Sequence, residues 1–136
     1  MSAVEVDTLP DRQPTTRVLA TPTDTNASGD IFGGWIMSQV DIAGSIAAVR
    51  RAGVRVVTVA VNSFQFRKPV FVGDLISCYA EVERVGTSSL TVTVEVFAER
   101  NRCQTQVVKV TEATLTFVAV DANGRPQPVP EPGRQP

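Results

Sequence analysis

Ile31–Val49 reads IFGGWIMSQVDIAGSIAAV, a run of helical length in which Asp41 is the only ionisable side chain. Residues three, four and seven apart share a helix face. Gly34, Ser38, Asp41 and Ser45 then form one stripe, Ile36, Val40, Ala43 and Ala47 a second, and Trp35, Ile42, Ile46 and Val49 a third. A helix apolar on most sides is buried in its own domain or spans a membrane, and the small and polar residues on one side favour burial inside a sheet. A carboxylate in such surroundings gives up hydration, a cost that calls for a partner or a task. Asp41 is therefore the first candidate catalytic group.

The flanks supply that sheet. Thr21–Asp30, TPTDTNASGD, is rich in turn formers and reads as a loop leading into the helix, preceded by a short strand at Arg17–Ala20. Arg55–Phe66, RVVTVAVNSFQF, is dense in β-branched and aromatic residues and reads as a buried strand. After the turn at Pro69 and Gly73-Asp74, Ile76, Cys78, Ala80 and Val82 alternate with Ser77, Tyr79, Glu81 and Glu83, the two-residue period of a half-buried strand. Leu90, Val92, Val94, Val96 and Ala98 repeat the pattern beyond Gly86, so a hairpin is expected. The last strand, Gln104–Val120, switches its apolar parity between Val108 and Val110 on one side and Leu115 and Phe117 on the other, as a bulge or a second interface would require. Residues 1–14 read as a flexible lead-in, 15–121 as one domain and 122–136 as a proline-rich tail.

One long apolar helix with about four long antiparallel strands gives an α+β hotdog fold, a curved sheet wrapped around the helix. Such a protomer exposes a sheet edge, and edge-to-edge dimerisation removes that liability.

Composition narrows the chemistry. A formal charge of -1 gives no general electrostatic case for nucleic acid or an anionic membrane, so any anion site must be local. With no leader-like N-terminus and no run of bilayer-spanning length, a cytoplasmic protein is expected, without membrane insertion. Cys78 and Cys103 lack metal-ligand or CxxC spacing and read as reduced packing residues. With 0 histidines, Ser-His-Asp and Cys-His catalysis and His-based zinc sites are excluded. No metal or cofactor is expected, and carboxylates, amides, hydroxyls and backbone must do the work.

Two local clusters can meet an anion: Arg67-Lys68 after a strand end, and Arg84 followed by the turn Gly86-Thr87-Ser88-Ser89. Their plain readings are solvated strand-end cations and an ordinary hairpin turn. Gly33-Gly34 stands where the helix should begin, so its unpaired amides and the helix dipole can serve an oxyanion, or the glycines simply permit close packing.

Three blocks carry a specific resemblance: DTNASGDIFGGWIMSQVDIAG, then RVVTVAVNSFQFRKPVFVGDLISCYAEVERVGTSSLTVTVEVF, then FVAVDANGRPQPVP. In order and spacing they resemble the hotdog acyl-CoA thioesterases of the YciA type. The resemblance implies hydrolysis of fatty or short acyl-CoA, with coenzyme A as part of the substrate, at a site built across a dimer interface. It pairs Asn26 of the DTN segment, otherwise a turn residue, with Asp41 as base or nucleophile. It favours Gly33-Gly34 as oxyanion hole, Gly86–Ser89 and Arg67-Lys68 as coenzyme A ligands, and a trimer of dimers as the assembly. Met37, Val59 and Val61 are assigned to the acyl chain, plain core being the alternative. Asn62 departs from the family, standing after VTVAV where an acid is common. The competing reading is a non-catalytic acyl-CoA-binding or sensing hotdog domain.

Overall fold

Alternating apolar residues build an antiparallel sheet that cradles a single long helix. A computed structural model describes residues 7–100 and 106–132. It contains β1 (Thr16–Leu19), α1 (Gly33–Ala52), β2 (Val56–Phe66), β3 (Leu75–Val85), β4 (Ser89–Arg100) and β5 (Gln106–Ala119), with strand order β1-β3-β4-β5-β2. Cys103 and the expected start of the last strand at Gln104 lie outside the described residues. No helix among those described is long and apolar enough to cross a membrane.

The helix begins two residues later and ends three residues further on than the apolar run suggests. Ile31 is held extended in a bridge to Thr25, and Arg50 and Arg51 extend the last turn, where cations suit the helix dipole. Ile36, Val40, Ala43, Gly44, Ala48 and Ala52 form the stripe buried on the sheet. Gly44 is a point of close approach, since a Cβ there would lie 3.1 Å from the Phe117 ring.

Two expectations of burial are corrected. The helix is not enclosed on most sides, because the sheet covers one stripe and leaves Met37, Ile42 and Val49 exposed. Nor is β2 a buried strand: among the described residues it pairs only with β5, occupies a sheet edge, and exposes Val59, Val61 and Phe66. The β3–β4 hairpin forms as expected. Ser77 and Tyr79, expected on a polar outer face, are buried there instead: Arg17 Nε donates to Ser77 Oγ, and Tyr79 packs edge-on against Phe97 beneath the Arg12 guanidinium.

The parity switch in β5 is a bulge. Thr111 pairs with Val96 and Lys109 with Phe97, so Val110 is the extra residue and both Val108 and Leu115 reach the same core. The described parts of the expected lead-in and tail are bonded to the sheet. Asp7 accepts from the Lys109 N–H at 2.7 Å within the expected lead-in, and in the tail the Gln127 N–H donates to Ala119 O at 2.9 Å.

Candidate active site

Asp41 lies midway along α1, half-buried, on the side of the helix that meets β2. Thr58 Oγ1 donates to Asp41 Oδ1 at 2.6 Å, a charge-assisted bond that holds one carboxylate oxygen, the other having no partner among the described residues. Sequence reasoning missed Thr58, because the alternation of a strand does not say which of its faces turns toward the helix. Asn62, the departure noted above, looks elsewhere: its Nδ2 donates to Thr116 Oγ1, which alternates with the core residues Leu115 and Phe117 and so lies on the outer face.

Asn26 fills the turn role. Its side-chain oxygen accepts from the Ser28 and Asp30 amides at 2.9 and 3.2 Å, while its Nδ2 makes no hydrogen bond among the described residues. The spent acceptor leaves a free donor. Gly33 and Gly34 open α1 as expected, with Phe32 as an N-cap that supplies no side-chain hydrogen bond. Neither glycine N–H has an acceptor among the described residues, and the helix dipole adds positive potential there.

Within one chain these parts do not converge. Asp41 is eight residues beyond Gly33, about 12 Å along the helix axis at a rise of about 1.5 Å per residue. Asp41 and Asn26 share no hydrogen bond.

Beside the helix start is an open groove of about 370 Å³, lined by Asp30, Ile31, Gly33, Phe66, Arg67 and Lys68 among others. The β5 bulge shapes its rim, since Val110 O accepts from both the Arg67 and Lys68 amides, at 2.8 and 3.3 Å. Arg67 is paired with Glu112 at 3.3 Å. Lys109 joins that group, and although desolvation pulls its ammonium down, Glu95 and Glu112 hold it above the ordinary range.

The other cluster lies at the far end of the sheet. Phe66 pairs with Thr111, whereas Ser89 pairs with Val118, and seven residues of strand span about 23 Å. Arg84 is exposed there, and among the described residues it forms no ion pair. Gly86–Ser89 is a tight turn, with the Gly86 N–H donating to Ser89 O at 2.7 Å. Met37, Val59 and Val61 line neither the groove nor the core: they are 42%, 55% and 45% exposed on the open side of α1 and β2. Cys78 is fully enclosed, and burial pushes its thiol up to about 11 with slight relief from Thr16, as suits a packing residue.

A long helix cradled by an antiparallel sheet, with one acid held against its edge strand and amides without acceptors among the described residues at its start, defines the hotdog class. Residues 28–105 match the thioesterase superfamily, and the chain belongs to that family. It is 46% identical over 130 residues, 94% of this chain and 98% of the relative, to an acyl-CoA thioester hydrolase, YciA, of Salmonella typhimurium. A hexameric hotdog fold thioesterase of Campylobacter jejuni superposes with a TM-score of 0.83 at 45% identity, covering 88% of this chain and 91% of that one. An acyl-CoA hydrolase of Staphylococcus aureus, solved with coenzyme A as an asparagine-to-alanine mutant, has a TM-score of 0.79 at 34% identity over 85% of this chain and 69% of its own. The same hydrolase has been solved as an aspartate-to-alanine mutant, the aspartate lying fifteen residues beyond that asparagine.

Proposed function

We propose that this thioesterase hydrolyses acyl-CoA in sites shared between two subunits, Asp41 coming from one and Asn26 with the Gly33 and Gly34 amides from the other. The observation that carries this reading is the separation of the parts: a positioned carboxylate, glycine amides about 12 Å from it along the same helix, and no hydrogen bond joining Asn26 to Asp41. The Asn26–Asp41 spacing supports it, since it equals that of the two residues replaced in the Staphylococcus aureus hydrolase. The hydrolase relatives favour catalysis over the non-catalytic binding reading.

The exposed edge of β2 suits the pairing. Two copies joined antiparallel there continue the sheet and cover Val59, Val61 and Phe66, each worth roughly 1.5–3 kcal/mol on full burial. Antiparallel pairing also sets the Arg67-Lys68 end of one subunit beside the Arg84 and Gly86–Ser89 end of the other, so both clusters can take the phosphates of coenzyme A. Met37, Val59 and Val61 then flank the acyl chain. Asn26 Nδ2 and the glycine amides stabilise the carbonyl oxygen as it gains charge. Asp41 uses its other oxygen either to take a proton from the attacking water or to attack the carbonyl itself, giving a mixed anhydride that water then cleaves to free acid and Asp41 carboxylate; in both routes the coenzyme A thiolate leaves and is protonated. Three such dimers form the hexamer, and a cytoplasmic location completes the proposal.

Mixing mutants tests the shared site. Asn26→Ala and Asp41→Ala are each nearly inactive alone, and after subunit exchange by reversible unfolding half the dimers are mixed, each with one intact site, returning about a quarter of wild-type activity. A mixture no more active than its components, with mixed dimers verified by mass spectrometry, refutes the cross-subunit arrangement.

A further inference from the structure

We propose that the C-terminal tail, through Val129 and Arg51, positions the Gly86–Ser89 turn for the coenzyme A phosphates, an inference that rests on the role given to that turn above. A hairpin tip of small polar residues is ordinarily mobile. Here its carbonyls are held from two directions. The Val129 N–H donates to Thr87 O at 2.8 Å, and the Ala119 N–H donates to Ser88 O at 2.8 Å. The tail is in turn fixed to the end of α1 by the Arg51 guanidinium, whose Nη1 donates to Pro130 O at 2.9 Å.

The direction of these bonds matters. A trans peptide is planar, so its C=O and N–H point opposite ways. Drawing Thr87 O toward the tail therefore turns the Ser88 N–H away from the tail. The Thr87 and Ser88 amides have no acceptor among the described residues, and neither do the hydroxyls of Thr87, Ser88 and Ser89. The tail thus occupies Thr87 O while β5 occupies Ser88 O, and the free donors of the turn are left for an anion. Val129 and Arg51 are positioning residues: neither need touch substrate, and holding the turn in its binding form removes an ordering cost from coenzyme A capture.

The test compares an acyl-CoA with the matching acyl-N-acetylcysteamine thioester, which lacks the nucleotide. Val129→Pro deletes the N–H donor within a segment already flanked by Pro128 and Pro130, and Val129→Ala keeps it. We expect Val129→Pro to raise KM for acyl-CoA about fivefold with kcat unchanged and KM for the short thioester unmoved, while Val129→Ala matches wild type. Arg51→Met gives a smaller selective rise that Arg51→Lys, still a donor, reverses. Unchanged KM in both Val129→Pro and Arg51→Met, or equal losses on both substrates, overturns the positioning role. Ser88→Glu separates the two readings, because it sets a like charge where the phosphates would sit: if it raises KM for acyl-CoA while the tail variants do not, only the tail proposal falls. If Ser88→Glu has no effect, the turn is not the nucleotide site and both fall.

Discussion

Thr58→Val removes one atom's function and almost no volume, so it isolates the hydroxyl that holds Asp41. The bond is 2.6 Å and its acceptor is a carboxylate, a class worth about 1.5–3 kcal/mol. Thr58 is exposed in the single chain and water can replace part of the loss, which points to the lower end, about 1.4 kcal/mol. If the bond serves to aim the free carboxylate oxygen, that energy appears in the barrier as about a tenfold fall in kcat. KM should hardly move, since Thr58 is not among the proposed coenzyme A ligands. Thiol release from acyl-CoA, followed with a chromogenic thiol reagent, gives both constants, and Thr58→Ser should stay within about twofold of wild type. Melting temperature should fall by only a few degrees, because losing the bond costs the fold at most about 1.4 kcal/mol. A Thr58→Val enzyme with wild-type kcat, or a serine variant as impaired as the valine one, refutes a role for the hydroxyl in aligning Asp41.

Asp41→Asn should keep the fold and lose at least about a hundredfold in kcat, and near-normal turnover would remove Asp41 from the chemistry. Neutralising Arg67, Lys68 or Arg84 should raise KM for acyl-CoA far more than for a thioester lacking the nucleotide, a split that steady-state kinetics reads directly. For Cys78, the folded thiol titrates near 11 against an ordinary 9.0, so its contribution is constant below pH 9 and stability falls from pH 9 to 11 as only the unfolded chain ionises. In urea titrations the advantage of wild type over Cys78→Ala should therefore shrink by about 1.4 kcal/mol between pH 8 and pH 10, and an unchanged difference contradicts the burial argument. Gly44→Ala gains helix propensity but brings a Cβ to 3.1 Å from the buried Phe117 ring; we expect crowding to win by about 1 kcal/mol, and a raised melting temperature would show that the core gives way.

The amino-acid sequence by itself determined the elements and their class. A lone acid in an apolar helix, the two-residue alternation from Ile76 to Ala98 and the parity switch around Val110 are local signals, and each has its counterpart in the helix, the hairpin and the bulge. Blocks such as DTNASGD and GTSS carried the family because their order and spacing survive without coordinates. Tertiary structure alone decided what each side chain faces. Arg55–Phe66 has the composition of a central strand, yet strand order puts β2 at an edge, since composition records β-propensity and not the number of neighbours. The same limit hid Thr58 beside Asp41, Glu112 beside Arg67 and Val129 beside Thr87, pairs joined by the fold across 17, 45 and 42 positions. Periodicity reports which residues share a face, whereas contacts at such separations exist only once the sheet has curved around the helix and brought distant faces together.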